Sequence, residues 1–408
     1  MSGAALERRL GTGDAVTIGL GSMLGAGVFA VFAPAAQVAG GGLLPALAIA
    51  GLVAYGNATS SARLAARYPA SGGTYVYGRE RLGPFWGYLA GWGFVVGKTA
   101  SCAAIALTFG AYVAPGQMRV VAAAAVLTLT ALNYVGVQKS MVTTRVLVAA
   151  TLGTLALVVV AGFTDGGHGI GAPTGPHGVL QAAGLLFFAF AGYARVATLG
   201  EEVRDPARTI PRAIPIALGI TLAVYLLVAV AALVALGPQA LAAADPLRAV
   251  VAATDLAPAA PAVRVGAALA TLSSLLALLL GVSRTTLAMA RDRNLPPALA
   301  AVHPRWHVPH RAEVAVGVLV AALVLTVDLR GAIGFSSFAV LTYYAIANAA
   351  ALTLPGRPAG KLLPSVGLAG CVLLAVNLPW TSVVTGAGVL AVGIAIRGAR
   401  LRRLAASQ

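Results

Sequence analysis

Twelve runs of mostly apolar residues follow one another along this chain, and most are about as long as a membrane is thick. A helix crossing about 30 Å of hydrocarbon needs about 20 such residues. Lipid offers no partners to backbone N–H and C=O groups, so a spanning segment must satisfy its own, as a helix does. The runs cover residues 15–38, 43–65, 85–114, 119–137, 142–163 and 179–203, then 210–236, 263–290, 314–327, 333–354, 364–378 and 383–396. Only 10% of the residues are charged, against roughly 25% in a soluble domain. The chain therefore reads as an all-α polytopic membrane protein with 12 transmembrane helices. Arg8 and Arg9 precede the first run as they would in a cleaved leader, but that run is too long and too interrupted for one. Cys102 and Cys371 both lie in apolar runs and read as small buried hydrophobes.

A net charge of +16 raises the question of a nucleic-acid partner, and the placement of the charges answers it. With an even number of spans the two termini share a side, and 23 of the 28 Lys/Arg residues fall on that side. Arg119, Arg248, Arg264 and Arg330 occupy the other, and Lys98 lies inside a span. Arg/Lys-rich loops stay in the cytoplasm. The expectation is a multi-pass protein of the cell (plasma) membrane with both termini cytoplasmic, its basic loops facing membrane lipid and no nucleic acid. The longest loop, 237–262, is Ala/Pro-rich with no periodic core, so no extramembrane domain is expected.

Two of the spans are interrupted. The first carries Gly21, Gly25 and Gly27 in its middle, where each Gly costs about 1 kcal/mol against Ala. One reading is close helix packing through Gly21-x-x-x-Gly25, a device repeated at Gly87/Gly91 and Gly93/Gly97. The other is a break. The sixth span is interrupted at Gly192, after Phe190-Ala191, with Arg195 just beyond. Residues 194–203 would then form an inner half-helix of about 15 Å. Spans one and six run in opposite directions, since they are five apart in the chain and five is odd, and this matches a five-plus-five inverted repeat with its site at the midplane. Unwound backbone offers N–H groups to an anion and C=O groups to an ammonium, which suits a zwitterion.

The sequence here resembles the amino acid–polyamine–organocation (APC) superfamily, of the bacterial amino acid permease type. The residues behind this are Gly21-Ser22-Met23-Leu24-Gly25-Ala26-Gly27-Val28-Phe29 and Phe187-Phe188-Ala189-Phe190-Ala191-Gly192-Tyr193. The stretches Tyr68 to Tyr75, Glu201 to Pro206, Ile210 to Ile214 and Arg284 to Pro296 add to them. The resemblance covers nearly the whole chain. It implies one membrane transport domain over 1–408, with helices 1–5 (about 12–163) and 6–10 (about 178–355) as inverted repeats and helices 11–12 (about 362–397) accessory. It implies a substrate carboxylate on backbone amides of Ser22, Met23, Leu24, Gly25, Ala26 and Gly27. The amino group would lie on carbonyls of Phe188, Ala189 and Ala191 around Gly192, with Phe190 and Tyr193 as gating rings. These two rings could equally be ordinary packing aromatics. Relatives often carry Ser or Thr where Ala26 stands, so one hydroxyl contact is missing here.

No carboxylate lies deep in any span, which favours neutral side chains over cationic ones, although carbonyls alone can hold a cation. Glu201, Glu202 and Arg204 read as a cytoplasmic gate held by ion pairs. Lys98 sits near the middle of the third span. Desolvation favours a neutral amine, so Lys98 can serve as a proton carrier; alternatively its ammonium fixes carbonyls at a helix break. Some proton-coupled relatives carry a lysine in the fifth span, where Thr151 stands here. Thr271, Ser273 and Ser274 offer a sodium site instead, or bond back to their own helix. H+ is the favoured coupling ion, Na+ the alternative, and no cofactor is implied.

The expectation is a secondary transporter, not an enzyme, importing amino acids by alternating access and proton symport. An amino acid/polyamine exchanger and a sodium symporter are alternatives. So is a membrane substrate sensor without transport, although no signalling segment is visible in the sequence. His303, His307 and His310 cluster in one loop, with a Pro-rich turn favoured over a metal site and Glu313 the nearest acid.

Overall fold

A computed structural model of the chain describes residues 10–68, 72–136, 140–164, 167, 169–197, 202–242, 245–355 and 357–405. The first span is two helices in line, α1 (Thr12–Leu24) and α2 (Gly27–Ala39). There follow α3 (Leu43–Arg67), the short α4 (Thr74–Leu82), α5 (Pro84–Val113), α6 (Met118–Tyr134) and α7 (Met141–Thr164). The sixth span comprises α8 (Pro176–Phe190), a 3-10 turn (Ala191–Tyr193) and α9 (Ala194–Ala197). The rest are α10 (Pro206–Ala240), α11 (Pro246–Ala252), α12 (Ala260–Arg291), α13 (His310–Thr326), α14 (Leu329–Leu352), α15 (Leu362–Asn377) and α16 (Trp380–Ala405).

Each apolar run contains a helix, and among the described residues ten helical segments are long and apolar enough to cross a membrane. α13 and α15 are shorter, at 17 and 16 residues. Burial sorts the spans by position: the α1–α2 pair and α5 are the most enclosed, whereas α6 and α16 turn most of their surface outward. Lipid tails provide no hydrophobic drive between helices, so contact depends on small residues that let backbones approach. Gly97 on α5 meets the Ala339 side chain of α14, and Gly91 meets Met289 and the Tyr75 ring. The paired glycines of the third span are thus packing positions.

The differences from the sequence reading have local causes. α10 begins earlier than expected, since Pro206 suits a first turn that needs no N–H. It also continues past residue 236 across a kink at Gly237, whose φ of 67° leaves the right-handed helix. The 237–262 connection, read as featureless, folds into α11 and a 3-10 turn at Ala257–Ala259. The expected inner half-helix over 194–203 is shorter: Val203 forms a parallel bridge with Leu10, so the chain is already extended there. The His303 loop is an aromatic cluster, with His303 stacked on Trp306 at 4.3 Å and both edge-on to Tyr134.

Candidate functional site

Both breaks lie where the sequence puts them. α1 ends at Leu24 and α2 starts at Gly27, with its first bond from Ala30 N–H to Ala26 O at 3.2 Å. The first N–H groups of a helix have no intrahelical partner, and they carry the positive end of its dipole. In the sixth span α8 stops at Phe190 and leaves its last carbonyls, the negative end, at the 3-10 turn. α2 runs away from its break and α8 runs towards its own, so the two opposite poles lie side by side. Gly27 makes this possible: a Cβ there would come within 2.6 Å of Ala189 Cα. On the inner side Gly192 packs on the Ser22–Met23 peptide, where any side chain would meet the Ser22 carbonyl. Met23, Leu24, Ala26, Phe190, Ala191 and Tyr193 are all buried.

Among the described residues, three side chains from other helices reach carbonyls of the breaks. Tyr225 on α10 places its hydroxyl 2.6 Å from Met23 O and 3.2 Å from Ala189 O, linking the carbonyls of both breaks. One O–H has one proton, so it serves one of them at a time. Lys98 on α5 is 8% exposed, and its Nζ lies 3.5 Å from Ala191 O. Tyr344 on α14 donates to the same carbonyl at 3.3 Å. The aromatic residues of the sixth span pair with these tyrosines: Phe190 with Tyr225 at 5.2 Å and Tyr193 with Tyr344 at 4.9 Å. Tyr225 and Tyr344 went unnoticed in the sequence because a tyrosine within an apolar run carries no spacing signal.

The hydroxyls behave differently from one another. Ser22 bonds back to Ile18 O at 2.8 Å and Thr271 to Ala267 O at 2.6 Å, as hydroxyls in apolar helices do. Thr151 likewise bonds back, to Leu147 O. Ser274 Oγ lies directly against Gly25 and has no hydrogen-bond partner among the described residues. Ser273 and Phe188 are partly buried on the neighbouring helices α12 and α8.

At the Arg-rich face, Glu201 lies outside the described residues. The backbone of Glu202 and Arg204 joins α1, with Leu10 N–H donating to Glu202 O at 3.1 Å and Arg204 N–H to Leu10 O at 2.8 Å, and the Glu202 charge lies within electrostatic reach of Arg195. An ion pair does hold α1 nearby, but between Asp14 and Arg145 of α7, at 2.6 Å. At the other face Gly41 N–H donates to Ala172 O at 3.0 Å and Thr174 Oγ1 to Val38 O at 2.6 Å, tying the end of α2 to the loop before α8. Glu313 is 1% exposed in the first turn of α13. It faces Asn133, Ser283 and Arg284 but makes no fully formed hydrogen bond among the described residues.

Broken first and sixth spans whose opposite poles meet inside a helical bundle define a secondary-transporter fold. Among solved structures, that of MhsT in complex with L-phenylalanine is similar, with a TM-score of 0.63 and 16% identity over 92% of this chain and 99% of that one. The sequence pattern of the amino acid permease family matches residues 14–354, and the chain belongs to that family. An uncharacterized transporter of Mycobacterium tuberculosis is 67% identical over 404 residues, 97% of this chain and 92% of its own. A branched-chain amino acid permease of Bacillus subtilis is 26% identical, over 96% of this chain and 92% of its own. The chain is thus a multi-pass membrane transporter of an amino acid permease family.

Proposed function

We propose that this protein imports amino acids with neutral side chains by alternating access, driven by proton symport. The observation that carries the reading is the pairing of helix poles at the two breaks. A carboxylate would lie at the N-terminus of α2, on the amides of Gly25 to Gly27, and an ammonium at the C-terminus of α8, on the carbonyls of Phe188, Ala189 and Ala191. Lys98 supports the neutral preference: its ammonium approaches the carbonyl end of the site and would repel a cationic side chain there.

Lys98 and the substrate ammonium would compete for Ala191 O. A proton arriving at Lys98 would hold the break in one arrangement, and its departure would free the carbonyl. In this mechanism Tyr225 keeps unwound carbonyls satisfied between cycles, and Phe190 and Tyr193 close over the substrate. The Arg-rich face is cytoplasmic, which the positive-inside rule supports. No cofactor enters the mechanism.

Uptake of a labelled neutral amino acid into proteoliposomes tests this, with an inward proton gradient, an inward sodium gradient, or neither. Accumulation that needs the proton gradient and is lost in Lys98→Ala is expected. Sodium-driven uptake indifferent to Lys98 would contradict it and move coupling to Ser274, Ser273 and Thr271. That second reading is favoured by the unpartnered hydroxyl of Ser274 against Gly25. Binding with no uptake under any gradient would leave a sensor.

A further inference from the structure

A cavity of about 440 Å³ opens at the Arg-rich face between α4, the start of α5, the turn after α12 and the end of α16. Its size suits a small ligand, since such sites measure roughly 300–1,000 Å³. Four arginines line it, Arg79, Arg293, Arg397 and Arg400, against one acid, Asp292. Two of them are committed. Arg79 donates to Asp292 at 3.1 Å and also pairs with Glu80 at 3.3 Å. Arg397 donates to Asn294 Oδ1 at 3.2 Å and stacks over the Tyr88 ring. Tyr75 completes the floor, donating to Asp292 at 2.5 Å and accepting from Asn294 at 2.9 Å. Burial, reinforced by the Asp292 hydrogen bond, pushes the Tyr75 phenol up to about 12, so it stays protonated.

Arg293 and Arg400 remain. Among the described residues neither side chain has a hydrogen bond or ion pair, although both line the cavity. Arg293 is the left-handed residue that ends α12, with a φ of 54° and Asn294 N–H returning to Met289 O at 2.7 Å, so its place at the cavity is set by the helix end. Two uncommitted guanidiniums beside an already neutralised acid make a receptor for a phosphate group, which arginine binds in bidentate fashion.

The surroundings choose between a soluble phosphate and a lipid. Phe85 and Trp86 are exposed beside the cavity at the first turn of α5, and exposed aromatics mark the membrane–water interface. The outward face of α16, with Val384, Val392 and Ile396 exposed, leads down to the cavity, and Ile396 itself forms part of the wall. A ligand with an anionic head and apolar chains fits both features. We propose that this cavity binds the phosphate of an anionic phospholipid headgroup through Arg293 and Arg400. The site is separate from the helix breaks and stands whether or not the transport reading does.

The test uses the full chain in detergent, exposed to equimolar phosphatidylglycerol and phosphatidylcholine, with the retained lipid read by native mass spectrometry. Wild type should keep phosphatidylglycerol preferentially. The double variant R293Q/R400Q should lose that preference by about tenfold or more, as expected for two arginines at an anionic headgroup. R293K/R400K should retain part of it, and R311Q/R357Q, the same charge change elsewhere on the face, all of it. Equal lipid-free melting temperatures verify that the variants are folded. No preference in wild type would overturn the proposal. So would equal loss in R311Q/R357Q, which would mean general surface charge. Displacement of the lipid by inorganic phosphate at equal concentration would also overturn it, assigning the pocket to a soluble anion.

Discussion

Tyr225 and Lys98 reach carbonyls of the helix breaks, and the role proposed for each can be tested singly. The Tyr225 hydroxyl reaches Met23 O and Ala189 O, and a hydrogen bond of this kind contributes about 1 kcal/mol. Tyr225→Phe keeps the ring against Phe190 and removes only that bond. We expect the melting temperature to fall by a few degrees and apparent substrate affinity to change by no more than about fivefold. An unchanged protein on both measures would show that the contact carries no energy. Lys98 is worth more. Holding an ammonium at the bilayer centre costs about 3 kcal/mol on insertion scales, so a purely structural lysine would be an expensive fastening. Lys98→Met should leave counterflow exchange intact, abolish accumulation driven by a proton gradient, and weaken discrimination against arginine. Retained accumulation would remove Lys98 from the coupling mechanism. The backbone part of the site was legible in the sequence because glycines in an apolar span advertise a break. The residues that satisfy the break were not, since Tyr225 and Tyr344 reach it from helices whose register a sequence leaves open.

At the level of elements, the broken helices are pinned at both ends in this conformation. α1 is held at the Arg-rich face by the Leu10–Val203 bridge and the Asp14–Arg145 pair; α2 is held at the other by the loop before α8. An ion pair as exposed as Asp14–Arg145 contributes about 0.2–1 kcal/mol. Asp14→Asn should therefore shift the balance towards opening at the Arg-rich face by up to about fivefold. Labelling by a maleimide of a cysteine placed at Ser22 would read this, in a background lacking Cys102 and Cys371. No gain in labelling would mean the backbone bridge alone holds α1. The sequence suggested ion pairs at Glu201, Glu202 and Arg204 as the fastening, from charge alone. Backbone pairing of Leu10 with Val203 leaves no compositional trace, and neither does the distance that brings Arg145 to Asp14. The positions of the long apolar helices were legible because lipid enforces length and composition together, and ten of the expected twelve reach spanning length among the described residues. The loop elements α4 and α11 were not, because a nine- or seven-residue helix is too short to show a period.

For the whole molecule, the separation of charge predicts which way the protein lies. Twenty-three Lys/Arg residues on one side of the expected topology and four on the other predict cytoplasmic termini. In intact cells a cysteine at Ala257 should react with an impermeant thiol reagent and one at Ala405 should not; the reverse would invert the orientation. The positive pole of α2 and the negative pole of α8 lie side by side, and the role proposed for them is that of a receptor for a zwitterion. Its most direct measurement is inhibition of labelled leucine uptake by three unlabelled compounds: leucine, the amine that lacks its carboxylate, and the acid that lacks its ammonium. Each missing charge leaves one helix pole unpaired, and hydrogen bonds to charged groups are worth about 1.5–3 kcal/mol. Both analogues should therefore inhibit at least about tenfold more weakly than leucine. An amine or an acid that competes as well as leucine itself would contradict the paired-pole site.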